Sequence, residues 1–191
     1  MIRLTILINL FAALVCVTPT AHAEKFPTDS IYRLNIPLTA QDGRTVPLPS
    51  LSGRVRIVTM FYASCSYVCP MTIQSLKDLD LGLNEQERSR LQILMVSIDP
   101  DRDSVEALQA LAKKHELDAT RWSLARANKT DIRKLAGMLG VQYRQLENKE
   151  FNHSTILTLV STDGKIIART DSNNGIDSKF KTQLQNLLRQ Q

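Results

Sequence analysis

Val55-Arg56-Ile57-Val58-Thr59-Met60-Phe61-Tyr62-Ala63-Ser64-Cys65-Ser66-Tyr67-Val68-Cys69-Pro70 is the stretch on which the fold turns. Its first half, Val55–Tyr62, is short and rich in β-branched residues, without a clean polar alternation. That pattern reads as a strand buried on both faces. It runs straight into Ala63-Ser64-Cys65, and Pro70 follows Cys69 at once. From there Met71, Leu76, Leu79 and Leu83 recur at helical spacing. Proline is tolerated in a helix's first turn, where its missing N–H has no partner to lose. Cys65 and Cys69 should therefore lie on a strand-to-helix turn and on the helix entry.

Outward from this point, strands and helices alternate. Leu91–Ile98 is a second buried-strand candidate. Asp99-Pro100-Asp101-Arg102-Asp103-Ser104 is a loop ahead of a helix that runs to about His115, with Asp103 and Glu106 forming a capping box if Asp103 caps. Trp122-Ser123-Leu124 is a short strand candidate. Thr130–Leu139 is a helix closed by Gly140, and Val141–Leu146 a further strand candidate. Ile156–Ser161 and Lys165–Thr170 flank Thr162-Asp163-Gly164 as a β-hairpin, and Phe180–Leu188 is a terminal helix. On the other side, 24–30 is polar, Ile31–Leu38 reads as a strand, and Asp42-Gly43 marks a turn. Pro47, Pro49 and Gly53 keep the following stretch irregular. No internal repeat or linker divides the chain. The order predicts an α/β fold: a central mixed sheet flanked by helices in a thioredoxin-like layout. The cysteine pair then sits at the C-terminal end of a strand, where open α/β sheets place their sites.

The composition agrees with one globular domain. The chain has 191 residues, 43% hydrophobic and 23% charged, which excludes collagenous, low-complexity and wholly disordered classes. Three cysteines, Cys16, Cys65 and Cys69, are too few for a disulfide scaffold. Residues 1–23 explain the odd one. Arg3 is their only charge, an apolar run extends from Leu4 to Val17, and Ala21-His22-Ala23 offers small residues at a cleavage site. This is the layout of a secretory signal peptide, with a run shorter than the roughly 20 residues a spanning helix needs. A retained anchor is the alternative. Cleavage leaves 24–191 as a single domain and removes Cys16, His22 and one positive charge, so that the net charge falls from +5 to +4. The expected compartment is exported and disulfide-permissive, the periplasm, with no stable membrane span after cleavage. Lys and Arg are scattered, without the clustered patch that nucleic-acid binding needs.

Cys65 and Cys69 are four residues apart, which on helical backbone turns both sulfurs to one face. A disulfide here would close so short a loop that it would stabilise the fold by only about 2 kcal/mol. Redox or metal chemistry is the better use. A helix N-terminus favours the thiolate, which is both nucleophile and soft-metal ligand. Two thiolates alone leave a metal under-coordinated, and a neutral imidazole would complete a Cys₂His set suited to copper, as Cu(I) or Cu(II). Two histidines are available. His115 sits at a helix's polar end among Lys113, Lys114 and Glu116. His153 precedes the hairpin, and in a thioredoxin-like layout that loop faces the cysteine loop. The alternative is a thiol-disulfide oxidoreductase with Cys65 and Cys69 as the redox-active pair. Thioredoxin-type enzymes use CxxC and a cis-proline before the hairpin, whereas this chain has CxxxC and no proline after Pro100. A peroxidase of the peroxiredoxin type lacks its upstream proline, and a structural zinc site would need His115 as a fourth ligand.

The motifs also resemble a known family. Cys65-Ser66-Tyr67-Val68-Cys69-Pro70 is similar to the CxxxCP motif of the SCO/SenC family. Ser97-Ile98-Asp99-Pro100-Asp101-Arg102-Asp103 is similar to its S-x-D-P-x-R-D loop. Gly140-Val141 with Tyr143, then Asn152-His153-Ser154 and Asp163-Gly164-Lys165, follow in the family's order, so that the likeness spans roughly Ile31 to Lys181. The resemblance implies a thioredoxin-like domain on the outer face of a membrane. It also implies copper held by Cys65, Cys69 and His153, and a role in assembling the copper site of a partner such as cytochrome c oxidase, subunit II being the candidate. Some members instead act as thiol-disulfide reductants of the partner's cysteines. The chain departs from the family's usual residues at Ser66-Tyr67, where Pro-Asp is common, and at Asn152, where Asp is. The Asp99–Asp103 loop is either a solvated turn with a capped helix behind it or a neighbour of the copper loop that orients a ligand.

Overall fold

The computed structural model describes residues 26–190. The leader expected over 1–23, with Cys16 and His22, lies outside them. The first element among the described residues is a 3-10 turn at Ile31–Arg33, followed by β1 (Pro37–Ala40), β2 (Thr45–Pro47), β3 (Val55–Phe61) and α1 (Val68–Leu81). Next come α2 (Glu85–Arg90), β4 (Leu91–Ser97), α3 (Val105–Lys114), β5 (Trp122–Arg126) and α4 (Lys129–Leu139). A small pair, β6 (Tyr143–Gln145) and β7 (Phe151–His153), precedes β8 (Ile156–Val160), β9 (Ile166–Asp171) and α5 (Ser178–Arg189).

Seven strands form one sheet in the order β2-β1-β5-β4-β3-β8-β9. β3 is parallel to β4, and β4 to β5, while β1, β8 and β9 run antiparallel to their neighbours. Every residue of β3 is buried, as its sequence requires of a strand covered on both faces. The core joins Ile57, Val58, Leu94, Leu124, Leu157 and Leu159 of the sheet to Ile73 and Leu76 of α1, Leu135 and Leu139 of α4 and Leu184 of α5. The mixed sheet with helices packed on it is thioredoxin-like, as expected.

The register decides what meets at the sheet's edge. Phe61 pairs with Ser97, so β3 and β4 end level and their following loops emerge side by side. β8 is antiparallel to β3, so the start of β8 lies against the end of β3, where the Thr59 hydroxyl donates to the Ile156 carbonyl at 2.9 Å. β6 and β7 form a separate two-stranded ribbon that does not join the main sheet.

Several local readings change. Ile31–Leu38 is not one strand: Ser30 caps a 3-10 turn by accepting from the Tyr32 N–H at 3.1 Å, and the strand begins only at Pro37. The irregular stretch after Asp42-Gly43 instead closes a hairpin, with Pro37 opposite Pro47 and the Thr39 and Thr45 hydroxyls 2.8 Å apart. Pro47 is tolerated because β2 is an edge strand with no outer partner for an N–H. Asp103 does not cap α3. Ser104 does, accepting from the Ala107 N–H at 3.2 Å, and Asp103 turns inward. α2 went unread, although Asn84 and Glu87 form a full capping box ahead of it.

The β8–β9 turn is packed under Ser30 and the 3-10 turn that follows it. The Ser30 hydroxyl donates to the Asp163 carbonyl at 2.6 Å, and the Ile31 N–H to the Gly164 carbonyl at 2.9 Å. Gly164 has φ +88°, and a Cβ there would fall 2.2 Å from Ser30 Oγ and 2.5 Å from Tyr32 Cδ2. Gly43 has a similar φ of +81° but open space around it. Gly164→Ala is expected to lower the unfolding free energy by about 3 kcal/mol or more, and Gly43→Ala by about 1 kcal/mol, in chemical denaturation. Equal losses would show that the packed turn adds nothing to the backbone cost.

Candidate metal centre

The first turn of α1 explains the cysteine geometry. Tyr67 occupies the N-cap position without a side-chain cap. Cys65 Sγ supplies the missing acceptor, taking the Cys69 backbone N–H at 3.3 Å. Pro70 follows within the first turn, where it leaves no hydrogen bond broken. Cys69 faces inward and is buried, whereas Cys65 is half-buried, and both thiols are free.

His153 reaches the pair from the other side, at the end of β7. Its Nδ1 lies 3.1 Å from the Ser154 carbonyl oxygen. A carbonyl can only accept, so Nδ1 is the donor in this contact, and the ring is held with Nε2 turned toward the cysteines. Nε2 lies 3.9 Å from Cys69 Sγ. The two sulfurs and a ring nitrogen of His153 all fall within 4.8 Å of one another. The three residues singled out in the sequence are thus brought together, and no fourth Cys, His, Asp or Glu joins the group among the described residues. His115 is elsewhere, as the C-cap of α3, with its carbonyl accepting from Lys77 Nζ at 3.1 Å.

The pair is electrostatically asymmetric. Hydrogen bonds from Cys69, together with His153 and the Cys69 and Tyr67 backbone, hold the Cys65 thiol well below the ordinary cysteine range against the opposing effect of its burial. Cys69 is pushed up, first by its hydrogen bond to Cys65 and then by burial. One proton is thus held on the inner sulfur, and the outer sulfur is the thiolate. The position of Cys65 ahead of a helix N-terminus acts in the same sense.

The Asp99–Asp103 loop borders this centre. The Asp103 carboxylate accepts from the Ala63 N–H at 2.9 Å and from the Ser97 hydroxyl at 2.6 Å, pinning the start of the cysteine loop to the end of β4. Burial raises the Asp103 pKa, while these two donors oppose the rise. Arg102 pairs with Asp99 and donates from Nη2 to the Lys149 carbonyl at 2.6 Å. Sequence reading offered Arg102 or the neighbouring aspartates as groups that orient a ligand or partner, but it missed Tyr62, Glu150 and Phe151. The Tyr62 ring meets His153 edge-on at 5.7 Å and lies 5.4 Å from Phe151, and its hydroxyl donates to Glu150 Oε2 at 3.0 Å. The only signal was the aromatic residue directly after β3, which looked like the last residue of a buried strand.

A thioredoxin-like domain with a Cys₂His donor set at one sheet edge defines a narrow class. The SCO1/SenC family model matches residues 28–189, and the chain belongs to that family. The SCO1 protein homolog of Bacillus subtilis (strain 168) is 26% identical over 130 residues, covering 66% of this chain and 67% of that protein. A SCO1/SenC family lipoprotein from Bacillus anthracis str. Ames superposes with a TM-score of 0.71 at 25% identity, over 81% of this chain and 96% of its own. ScoI of Arabidopsis thaliana, solved with copper bound, gives 0.68 at 20% identity, over 82% and 97%.

The reduced protein is expected to show the absorbance of one thiolate near 240 nm at neutral pH. Because the Cys65 pKa is depressed, the signal persists on mild acidification and is lost only as pH falls through the folded-state value. Cys65→Ser should abolish it. A signal that appears only above about pH 8, as for a free cysteine, would contradict the asymmetry.

Proposed function

We propose that the chain is an exported copper carrier: Cys65, Cys69 and His153 hold copper and pass it to a partner metalloprotein. The observation that carries this is the convergence of two sulfurs and an imidazole nitrogen within 4.8 Å. The donor set fits the metal. Thiolates are soft ligands suited to Cu(I), and imidazole also serves Cu(II). A zinc ion would ask for a fourth protein ligand in a structural site. Copper-bound relatives support the same choice.

The half-exposure of Cys65 suits transfer. An incoming ligand can approach the outer sulfur while Cys69 and His153 still hold the ion, so that release proceeds by stepwise exchange. Cytochrome c oxidase is the proposed recipient, with subunit II as the proposed docking partner; BsSco, which shares this fold, is a member of the Sco family of cytochrome c oxidase assembly proteins, which supports the first of these. Residues 1–23 would serve as a cleaved signal for export to the periplasm, leaving 24–191 as the working domain. No helix among the described residues is long and apolar enough to cross a membrane.

The asymmetric thiol pair also favours a second activity, reduction of a partner's disulfide. The Cys65 thiolate would attack one sulfur and expel the other as a thiolate that takes up a proton. Cys69, losing its proton, would then resolve the mixed disulfide, leaving a Cys65–Cys69 disulfide here and a dithiol on the partner.

Anaerobic Cu(I) titration in competition with a chromogenic chelator tests the main reading. Cys65→Ala and Cys69→Ala should each weaken binding by more than about 100-fold, and His153→Ala by at least about tenfold. Unchanged binding in the His153 variant would remove that residue from the site.

A further inference from the structure

We infer that Arg102, Glu150 and Tyr62 form a latch that positions His153 against the two cysteines, and so determines whether the centre offers three donors or only a dithiol. The inference rests on the copper reading of this site.

The problem the latch solves is topological. Cys65 and Cys69 belong to the loop and helix that follow β3 in the main sheet. His153 ends a two-stranded ribbon that forms no ladder with that sheet. The ribbon is tied at its base, where the Ser154 N–H donates to the Gln142 carbonyl at 2.9 Å. Its far end, around Lys149 and Glu150, needs a separate tether.

Arg102 supplies it. One guanidinium engages three groups: the Asp99 carboxylate on its own loop, the Lys149 carbonyl at 2.6 Å, and Glu150 Oε1 at 3.7 Å. The planar fork of arginine allows such bridging where a lysine would offer a single point charge. Glu150 uses its other oxygen to accept from the Tyr62 hydroxyl at 3.0 Å. Tyr62 is 5% exposed, and its ring meets the edge of His153. Burial, with the hydrogen bond to Glu150, raises the phenol's pKa, so it stays a donor. The chain of contacts runs Asp99–Arg102–Glu150–Tyr62–His153 and crosses from the β4–α3 loop to the ribbon and then to the end of β3. None of its first four members belongs to the donor group. Arg102 and Glu150 reach the donors only through Tyr62 and His153 and are positioning residues, whereas Tyr62 also touches Cys65, its carbonyl accepting from the Cys65 N–H at 3.2 Å.

Glu150→Gln, Arg102→Gln and Tyr62→Phe are the tests, each made alone and Glu150→Gln also in a His153→Ala background. The readout is Cu(I) affinity of the reduced full domain by chelator competition. Side chains behind metal ligands typically change affinity ten- to a hundredfold, so each single variant should bind about tenfold more weakly. In the His153→Ala background Glu150→Gln should change nothing further, because the ligand it positions is gone. Arg102 and Glu150 are each about a third exposed, 34% and 38%, so both glutamine variants can keep the fold. An equal loss from Glu150→Gln in both backgrounds would mark a general structural role and overturn the inference. Wild-type affinity in Glu150→Gln beside weakened binding in His153→Ala would also overturn it, leaving the copper reading standing. Wild-type affinity in His153→Ala would remove His153 from the site and end the inference, whereas no Cu(I) binding by the unaltered domain would end the copper reading itself.

Discussion

β3 hydrogen-bonds to β4 on one side and to β8 on the other, and the opposite directions of those two neighbours assemble the centre. A parallel partner brings the ends of β3 and β4 to the same edge. An antiparallel partner brings the beginning of β8, and the histidine just before it, to that edge as well. Residues 61, 97 and 153, far apart in sequence, are thereby held in one neighbourhood. The constraint is strict because β3 is buried along its whole length. A one-residue slip would turn every side chain of the strand to the wrong face.

On this frame the local chemistry needs little. Cys65 Sγ completes the α1 N-terminus, and Cys69 rides one turn further on, buried against the core. The Cys69 thiol does most to lower the Cys65 pKa, and the backbone N–H that Cys65 caps acts in the same sense. Helix entry and ligand readiness are thereby linked. Asp103 fixes the cysteine loop to β4, and the ribbon brings a histidine whose ring is oriented by the Ser154 carbonyl. The arrangement keeps one sulfur accessible and one sheltered.

The buried strands and the main helices were legible because their apolar patterns have a definite period. Val55–Phe61 and Leu91–Ser97 came through nearly residue for residue, and Gly140 does close α4 with φ +75°. The three residues that converge were legible too, since Cys65 and Cys69 announce themselves by spacing, and His153 by its place before a hairpin. What escaped was set by partners distant in sequence. Asp103 looked like a helix cap and became a buried clamp because Ala63 and Ser97 lie opposite it only after the sheet forms. Glu150 carries no pattern at all. Its role exists because Tyr62 and Arg102 meet it across separate elements. The proline-marked hairpin β1–β2 was hidden for the opposite reason: its edge position cancels the penalty that proline normally signals.

X-ray absorption at the copper edge, on the reduced and copper-loaded domain, tests the central claim most directly. The shell should contain two sulfur scatterers and one imidazole, and the imidazole signature should vanish in His153→Ala. A shell of sulfur alone in the unaltered protein, or one without sulfur, would contradict a Cys₂His centre.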